Sequence, residues 1–162
     1  MRLIKQIGPA KVLELPVFKD TRGVFTKAFQ AVDALHDFEV KQANLVENTS
    51  QGIFRGLHFQ NSPYQERKFF RVLSGSIQLV FFDLEEEKGY DYVLDQTNHG
   101  VLIPRGFATG YLVLEKNTHV LYFSDNEYQS DYESGIRWDD ERINCDWRSA
   151  ISVVSEKDQN FN

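Results

Sequence analysis

The chain consists largely of short apolar or alternating runs, each closed by turn residues, and this spacing constrains the fold more than any other feature. Two such runs flank a Ser-Gly-Ser turn and predict a β-hairpin over residues 68–84. Several short strands at this spacing indicate a β-sandwich or barrel. Further strands are predicted at residues 12–18, 24–29, 38–46, 55–60, 90–94, 100–103, 111–114 and 119–123, with residues 24–29 pairing back onto residues 12–18.

The remaining segments predict little regular structure. Only residues 31–38 have the pattern of a short helix, and the charged residues 85–89 predict a solvated loop. The tail after residue 127 is mostly irregular, and Trp138 and Trp147 are expected to anchor it to the barrel. No linker, repeat or low-complexity segment divides the 162 residues, so we expect one domain over the whole chain.

Composition excludes several function classes. The 14% aromatic content, with 13 Phe, suits half-buried pleated surfaces. A net charge of −6 disfavours a nucleic-acid partner, although a few local Arg and Lys residues can still hold one anionic small molecule. Cys145 is the single cysteine and predicts a reducing compartment. Because we find neither a signal peptide nor an apolar run long enough for a bilayer, we expect a cytoplasmic protein without membrane contacts.

One predicted strand, residues 55–60, carries polar side chains that suggest a ligand site. Strict alternation puts Gly56, His58 and Gln60 on one face. The alternative for an isolated histidine is a solvent-facing edge strand. Arg55 and His58 are three residues apart, so they reach one pocket only if a bulge or twist lies near Gly56.

A metal centre is not expected. Barrel metal sites usually assemble three or more His or carboxylate ligands. The histidines are His36, His58, His99 and His119, and no two of them are two residues apart. Gln60 stands where a His-x-His pair with His58 would need its second histidine.

Three more polar residues stand out in the sequence, and the sequence alone does not assign a role to any of them. Tyr122, taken alone, is more typical of a core tyrosine with a satisfied hydroxyl group. Lys68 opens a strand, where it either reaches a pocket rim or extends its ammonium group to solvent. Asp158 belongs, by sequence alone, to the tail.

Seven segments occur in order along the chain: residues 20–25 (DTRGVF), 42–44 (QAN), 52–60 (GIFRGLHFQ), 68–72 (KFFRV), 103–108 (IPRGFA), 138–140 (WDD) and 155–158 (SEKD). Together they resemble the dTDP-4-dehydrorhamnose 3,5-epimerase family over nearly the whole chain. The resemblance implies an all-β, cupin-like jelly-roll barrel with short helical and irregular C-terminal segments. It also implies an isomerase that uses neither a metal nor an organic cofactor.

The implied reaction inverts C3 and C5 of a dTDP-linked 4-keto-6-deoxyhexose. Both carbons adjoin the C4 ketone, so removal of either proton gives an enolate, which needs a base, an acid and a nearby cation. By resemblance, His58 would be the base and Asp158 would orient its imidazole. Tyr122 would return the proton from the opposite face, and Lys68 would stabilise the enolate.

The resemblance also implies a binding set and a homodimer. Arg22 and Arg55 would bind the diphosphate or the sugar, since planar guanidinium groups suit phosphate oxygens. The N-terminal strands, with Arg22, would complete the site of the neighbouring subunit. Further expected contacts to the nucleotide sugar are Phe25, Gln42, Asn44, Thr109, Tyr128, Glu133 and Lys157.

Three departures from the family pattern leave the substrate open. Thr109 stands where the family has a histidine, Lys27 replaces a glutamate, and one extra residue lies between Asn44 and Gly52. These changes keep a C3-only or C5-only epimerase, or an enzyme for a different nucleotide sugar, as alternatives. A non-catalytic sugar-nucleotide-binding module is less favoured, and a metal-dependent cupin is disfavoured by the missing histidine pair.

Overall fold

The computed structural model describes residues 1–161, which form fourteen short strands and very little helix. One α-helix, α1 (Glu156–Gln159), and three 3-10 turns, Asp33–Leu35, Ser130–Tyr132 and Glu141–Ile143, are the helical elements of these residues. In chain order the strands are β1 (Arg2–Ile7), β2 (Ala10–Glu14), β3 (Val17–Asp20), β4 (Gly23–Thr26), β5 (Gln42–Asn48), β6 (Ile53–Gln60), β7 (Lys68–Ser74), β8 (Ile77–Asp83), β9 (Lys88–Leu94), β10 (His99–Ile103), β11 (Phe107–Val113), β12 (Thr118–Ser124), β13 (Glu133–Gly135) and β14 (Val153–Val154).

Two six-stranded sheets face each other across one apolar core. The first sheet has the order β1-β2-β10-β7-β12-β5, and the second has the order β13-β6-β11-β8-β9 with β14 beside β6. All neighbours are antiparallel except β14, which runs parallel to β6. Val72 and Val120 of the first sheet pack with Leu79 and Phe81 of the second, and all four are fully buried. The predicted all-β barrel is confirmed.

The predicted hairpin over residues 68–84 is wrong. β7 pairs with β10 and β12 in the first sheet, whereas β8 pairs with β9 and β11 in the second. Both strands bury residues on both faces, as interior strands do. The turn between them therefore carries the chain from one sheet to the other. Gly75 has φ +70, and a Cβ there would lie 2.1 Å from Oγ1 of Thr118.

The predicted strand over residues 12–18 is broken in two. β2 ends at Glu14 and β3 begins at Val17, with Pro16, which has no N–H to donate to a strand, between them. The predicted pairing survives in a shorter form, since Val17 lies opposite Thr26 and Asp20 opposite Gly23. The β3–β4 hairpin joins neither large sheet within residues 1–161.

The predicted helix over residues 31–38 is also wrong, because only the 3-10 turn Asp33–Leu35 forms there. Asp33 has φ +49, which ends any regular α-helix at that point. Leu35 and Phe38 are buried beneath the first sheet, so packing rather than helix propensity fixes the segment. Sequence reasoning also missed β1 altogether. Trp138 and Trp147 do pack the tail against the outer face of the second sheet, as predicted.

No helix within residues 1–161 is long and apolar enough to cross a membrane.

Candidate active site

A cavity of about 430 Å³ lies between the two sheets. Strands β5, β7 and β12 of the first sheet border it on one side, and β6, β11 and the segment 153–158 border it on the other. A second, smaller cavity of about 90 Å³ continues from it. His58, Lys68 and Tyr122 border both cavities and therefore stand at their junction.

A bulge in β6 brings Arg55 and His58 to the same cavity. Thr109 lies opposite His58 and Tyr111 lies opposite Arg55, so β6 has one residue more than β11 over this stretch. Gly56 occupies the bulge with φ +115, and a Cβ there would lie 2.7 Å from the carbonyl oxygen of Thr109. The bulge that the spacing required is therefore present. The strict alternation predicted for this strand is wrong, because the extra residue resets it.

Asp158 holds the imidazole of His58 in a defined orientation. Its Oδ1 lies 2.8 Å from Nε2 of His58, and its Oδ2 accepts a hydrogen bond of 3.0 Å from the backbone N–H of Gly56. An ionised carboxylate only accepts hydrogen bonds, so in the neutral imidazole Nε2 carries the proton and Nδ1 the lone pair. The Asp158 residue is 4% exposed. Burial alone would raise the pKa of its carboxyl group, but the hydrogen bonds from His58 and Gly56 outweigh it and lower that pKa.

The C-terminal segment reaches the barrel through one short parallel pairing. Val153 and Val154 of β14 lie beside Ile53 and Phe54 of β6. Helix α1 follows at once, and its N-cap Ser155 accepts a hydrogen bond of 3.1 Å from the N–H of Asp158. This pairing carries a residue that looked like tail to within hydrogen-bonding distance of the base.

The ammonium group of Lys68 is fixed inside the site. Nζ lies 3.1 Å from Oε1 of Glu66 and donates to Oγ1 of Thr109 at 3.2 Å. Oε2 of Glu66 accepts a hydrogen bond from the hydroxyl group of Ser124. The Lys68 side chain is 12% exposed, so it does not extend into solvent. Sequence reasoning missed Glu66, although its spacing of two from Lys68 is the spacing of residues on one face of an extended chain.

Tyr122 borders the cavity from the first sheet, whereas His58 borders it from the second. Its ring stacks on Phe70 with 5.1 Å between the centroids. Burial raises the pKa of the Tyr122 phenol, and the carboxylates of Glu66 and Glu133 raise it further. Tyr122 therefore keeps its proton at neutral pH and can donate it.

Three predicted contact residues meet beside the smaller cavity. Oε2 of Glu133 accepts hydrogen bonds from the hydroxyl group of Tyr128 and from Nζ of Lys157, each at 2.5 Å. Gln42 borders the same cavity and donates to the carbonyl oxygen of Asn126 at 2.9 Å. Asn44 borders neither cavity but lies opposite Tyr122 in the β5–β12 register.

Arg22 and Phe25 are not brought to this site within one chain. Both lie on the β3–β4 hairpin, where they border a separate shallow depression. The Arg22 side chain is 88% exposed and pairs with Asp20 at 2.5 Å. Phe25 is also exposed. Their predicted contact with a neighbouring subunit's substrate stays a prediction.

Metal ligands do not converge in the part of the chain that the structure covers. No three His, Cys, Asp or Glu side chains among residues 1–161 are grouped closely enough to hold an ion.

Comparisons with known proteins point to one family. The sequence model for dTDP-4-dehydrorhamnose 3,5-epimerase matches residues 5–162. An enzyme of that name from Methanothermobacter thermautotrophicus is 35% identical over 99% of this chain and 92% of its own length. The one from Escherichia coli K12 is 32% identical over 95% of this chain and 89% of its own length.

Solved structures agree with the sequence comparison. The crystal structure of dTDP-4-dehydrorhamnose 3,5-epimerase from Bacillus anthracis, with TDP and PPi bound, superposes with a TM-score of 0.91 at 30% identity. The superposition covers 99% of this chain and 98% of that one. The epimerase of Legionella pneumophila, in complex with dTDP-4-keto-L-rhamnose, gives a TM-score of 0.88 at 26% identity, covering 98% and 89% of the two chains.

Proposed function

This chain belongs to the dTDP-4-dehydrorhamnose 3,5-epimerase family, and we propose that it epimerises a dTDP-linked 4-keto-6-deoxyhexose at C3 and C5. One observation carries the proposal: the hydrogen-bonded pair of His58 and Asp158 borders the same cavity as Tyr122 and Lys68. The nucleotide and the sugar seen in the Bacillus and Legionella enzymes support the substrate class. A cavity of about 430 Å³ is of the size that holds small-molecule ligands.

In the proposed reaction, Nδ1 of His58 takes the proton from the carbon beside the ketone. The C–H electron pair forms the enolate double bond, and the negative charge develops on O4. Lys68 stabilises that charge, because its ammonium group is held inside the site where water screens it little. General acid–base catalysis of this kind contributes about 10²–10⁴-fold to the rate.

Tyr122 completes the inversion from the other side of the sugar. It donates its phenolic proton to the face opposite His58 as the enolate collapses to the ketone. His58 then releases its proton to solvent and Tyr122 regains one, so the protein ends unchanged. Two facts support these roles: the two residues belong to different sheets, and the raised pKa of Tyr122 keeps it protonated.

The polar groups around the two cavities are proposed to bind the rest of the substrate. Arg55 and Lys157 supply positive charge for the diphosphate, and Tyr128 supplies an exposed ring on which the nucleobase can stack. The other proposed contacts to the nucleotide sugar are Gln42, Asn44, Thr109 and Glu133.

We further propose a homodimer in the cytoplasm. The β3–β4 hairpin exposes Phe18, Val24 and Phe25 and pairs with neither large sheet, which suits docking on a second copy that places Arg22 near its substrate. Light scattering should give twice the chain mass, and Phe25→Ser should shift it towards the monomer. A wild-type protein that is monomeric would contradict the dimer. The single cysteine, Cys145, supports a reducing compartment.

The test of the proposed function is incorporation of deuterium from D₂O into dTDP-4-keto-6-deoxyglucose, followed by mass spectrometry and proton NMR. The wild-type protein should incorporate two deuterons, at C3 and C5. His58→Ala should lose incorporation at both carbons while it still binds dTDP. His36→Ala is the matched control, because His36 is exposed and borders neither cavity. Incorporation that persists in His58→Ala would show that His58 is not the base.

A second candidate function, epimerisation of one carbon only, is favoured by Thr109. Its hydroxyl group lies 3.2 Å from Nζ of Lys68, in the position of a histidine in the family pattern. A threonine can donate one hydrogen bond there but cannot ionise or reach as far. Incorporation of a single deuteron by the wild-type protein would establish this function. Thr109→His should then restore the exchange at the second carbon. An unchanged product would show that residue 109 does not determine specificity.

A further inference from the structure

The cations that border the larger cavity differ in how their charge is compensated. Lys68 pairs with Glu66 at 3.1 Å and Lys157 pairs with Glu133 at 2.5 Å. Arg55, in contrast, forms no salt bridge with a carboxylate of residues 1–161, and its hydrogen-bond partner there is neutral. Its Nε donates to Oδ1 of Asn48 at 2.9 Å. Among the Lys and Arg side chains that border this cavity, Arg55 is therefore the one whose charge no carboxylate of residues 1–161 offsets.

Asn48 is built to hold that guanidinium group. It is the last residue of β5 and is 1% exposed. Its Nδ2 donates to the carbonyl oxygen of Thr118 at 3.0 Å, directly across the β5–β12 pairing. Because the carbonyl oxygen of Thr118 can only accept a hydrogen bond, the Asn48 atom that faces it must be the amide nitrogen Nδ2. Oδ1 must then face Arg55.

The hydrogen bond leaves the binding edge of Arg55 free. A guanidinium group has five N–H donors, and only the one on Nε is used by Asn48. The remaining four lie on the two terminal nitrogens, which suit the oxygens of a phosphate group. An amide oxygen orients the group without cancelling its charge, which a carboxylate in the same place would do.

The side chain of Tyr111, beside Arg55, also carries no negative charge. Tyr111 lies opposite Arg55 in the β6–β11 register, and its hydroxyl group is buried beside Asn48. Burial raises the pKa of Tyr111 to about 12, so no phenolate forms beside Arg55 at neutral pH.

We propose that Asn48 is a positioning residue, which fixes Arg55 as an uncompensated cation for the diphosphate of the substrate and thereby sets the affinity of the site for that anion. This inference rests on the proposed function for the identity of the anion. It assigns a role to a residue that does not border the cavity.

The test replaces Asn48 by aspartate, which has nearly the same shape and adds a carboxylate against Nε of Arg55. Isothermal titration calorimetry on the full chain measures the dissociation constants for dTDP and for inorganic pyrophosphate. Because a hydrogen-bonded charge is neutralised, Asn48→Asp should weaken both ligands about ten- to a hundredfold. KM should rise to a similar degree while kcat changes little, since His58, Asp158 and Tyr122 are untouched.

Asn117→Asp is the matched control, because Asn117 lies exposed in the turn just before β12 and the change adds the same charge. It should bind both ligands as the wild type does. A thermodynamic cycle with Arg55→Gln then tests the route of the effect. The loss caused by Asn48→Asp should disappear in the Arg55→Gln background. If the loss is the same in both backgrounds, Asn48 acts on the fold and the proposal fails; wild-type affinity in Asn48→Asp overturns it equally.

Asn48→Ala provides the same cycle without an added charge if the aspartate variant does not fold. Its loss of affinity must also vanish in the Arg55→Gln background, and a loss that persists refutes the role of Asn48. The two ligands separate this inference from the proposed function. A wild-type protein that binds pyrophosphate but not dTDP overturns the proposed nucleotide, while the cycle with pyrophosphate still decides the role of Asn48. Binding of neither ligand overturns both.

Discussion

Replacement of Asp158 by asparagine is the change that most directly tests how this site is organised. The side chain keeps its shape, but only one of its two terminal atoms can still accept a hydrogen bond. Asp158 accepts two: one from Nε2 of His58 at 2.8 Å and one from the N–H of Gly56 at 3.0 Å. One of them is lost whichever way the new amide turns.

Both orientations of the amide disable the base. If the NH₂ group faces His58, the imidazole must accept through Nε2, so its proton moves to Nδ1 and the base is blocked. If the NH₂ group faces Gly56, two donors oppose each other and the segment that carries residue 158 is pushed from β6. We therefore expect the rate of deuterium incorporation to fall about 10²–10⁴-fold, the full contribution of a positioned general base.

The same substitution should lower stability. Asp158 is 4% exposed, so solvent screens its hydrogen bonds little. A hydrogen bond to a charged group contributes about 1.5–3 kcal/mol, and we expect a loss of that size in the free energy of unfolding measured with urea. Calorimetric titration with dTDP should show nearly unchanged affinity. The exposed Asp95→Asn is the control, with wild-type exchange and stability expected. An Asp158→Asn protein that exchanges deuterium at the wild-type rate would refute the reasoning.

Three further outcomes are expected. Tyr122→Phe should impair inversion more than the first proton exchange, because abstraction needs only the base. NMR of the product measures both rates. Equal losses of the two would exclude Tyr122 as the opposite-face acid. Gly56→Ala should destabilise the protein by at least about 1–3 kcal/mol in urea unfolding, because φ is +115 and the new Cβ would meet backbone atoms of β11. A variant as stable as the wild type would contradict the presence of the bulge at Gly56. The pKa of Asp158 is below its ordinary value of 3.8 in the folded protein, so the stability it contributes is present above pH 3.8 and is lost as the pH falls through the folded pKa. The difference in unfolding free energy between the wild type and Asp158→Asn should thus shrink as the pH falls from 3.8 through the folded pKa of Asp158, and a difference that keeps its size well below that pKa would contradict the assignment.

The strand content could be predicted from sequence, but the pairing could not. Alternating and apolar runs mark strands wherever they occur, and the all-β prediction is confirmed. Residues 68–84 show the limit, because two runs around a Gly turn look alike in a hairpin and at a corner between sheets. The distinguishing signal was the continuous apolar run of residues 79–82 in β8, because an interior strand is buried on both faces.

The site could be predicted only in part. Arg55 and His58 stood out within one strand, and their spacing of three indicated the bulge. Asp158 was out of reach of local reasoning, because it joins His58 across 100 residues through the β14–β6 pairing. The family resemblance supplied it, and the comparisons confirm that family. Asn48 was missed because its partners, Arg55 and Thr118, lie on other strands, whereas Glu66 was missed although its partner Lys68 is only two residues away.

The bulge at Gly56 has a consequence for how enzymes of this kind can diverge. It places an anion-binding arginine and a base on one strand, while Phe54 and Leu57 of the same strand fill the core behind them. An insertion or deletion within β6 would exchange the two sets, so ligand affinity, chemistry and folding would be lost in a single genetic event. New specificity is then expected to arise from point substitutions on the neighbouring strand β11, at positions such as Thr109. Libraries that seek new sugar specificity should hold β6 constant in length and diversify β11.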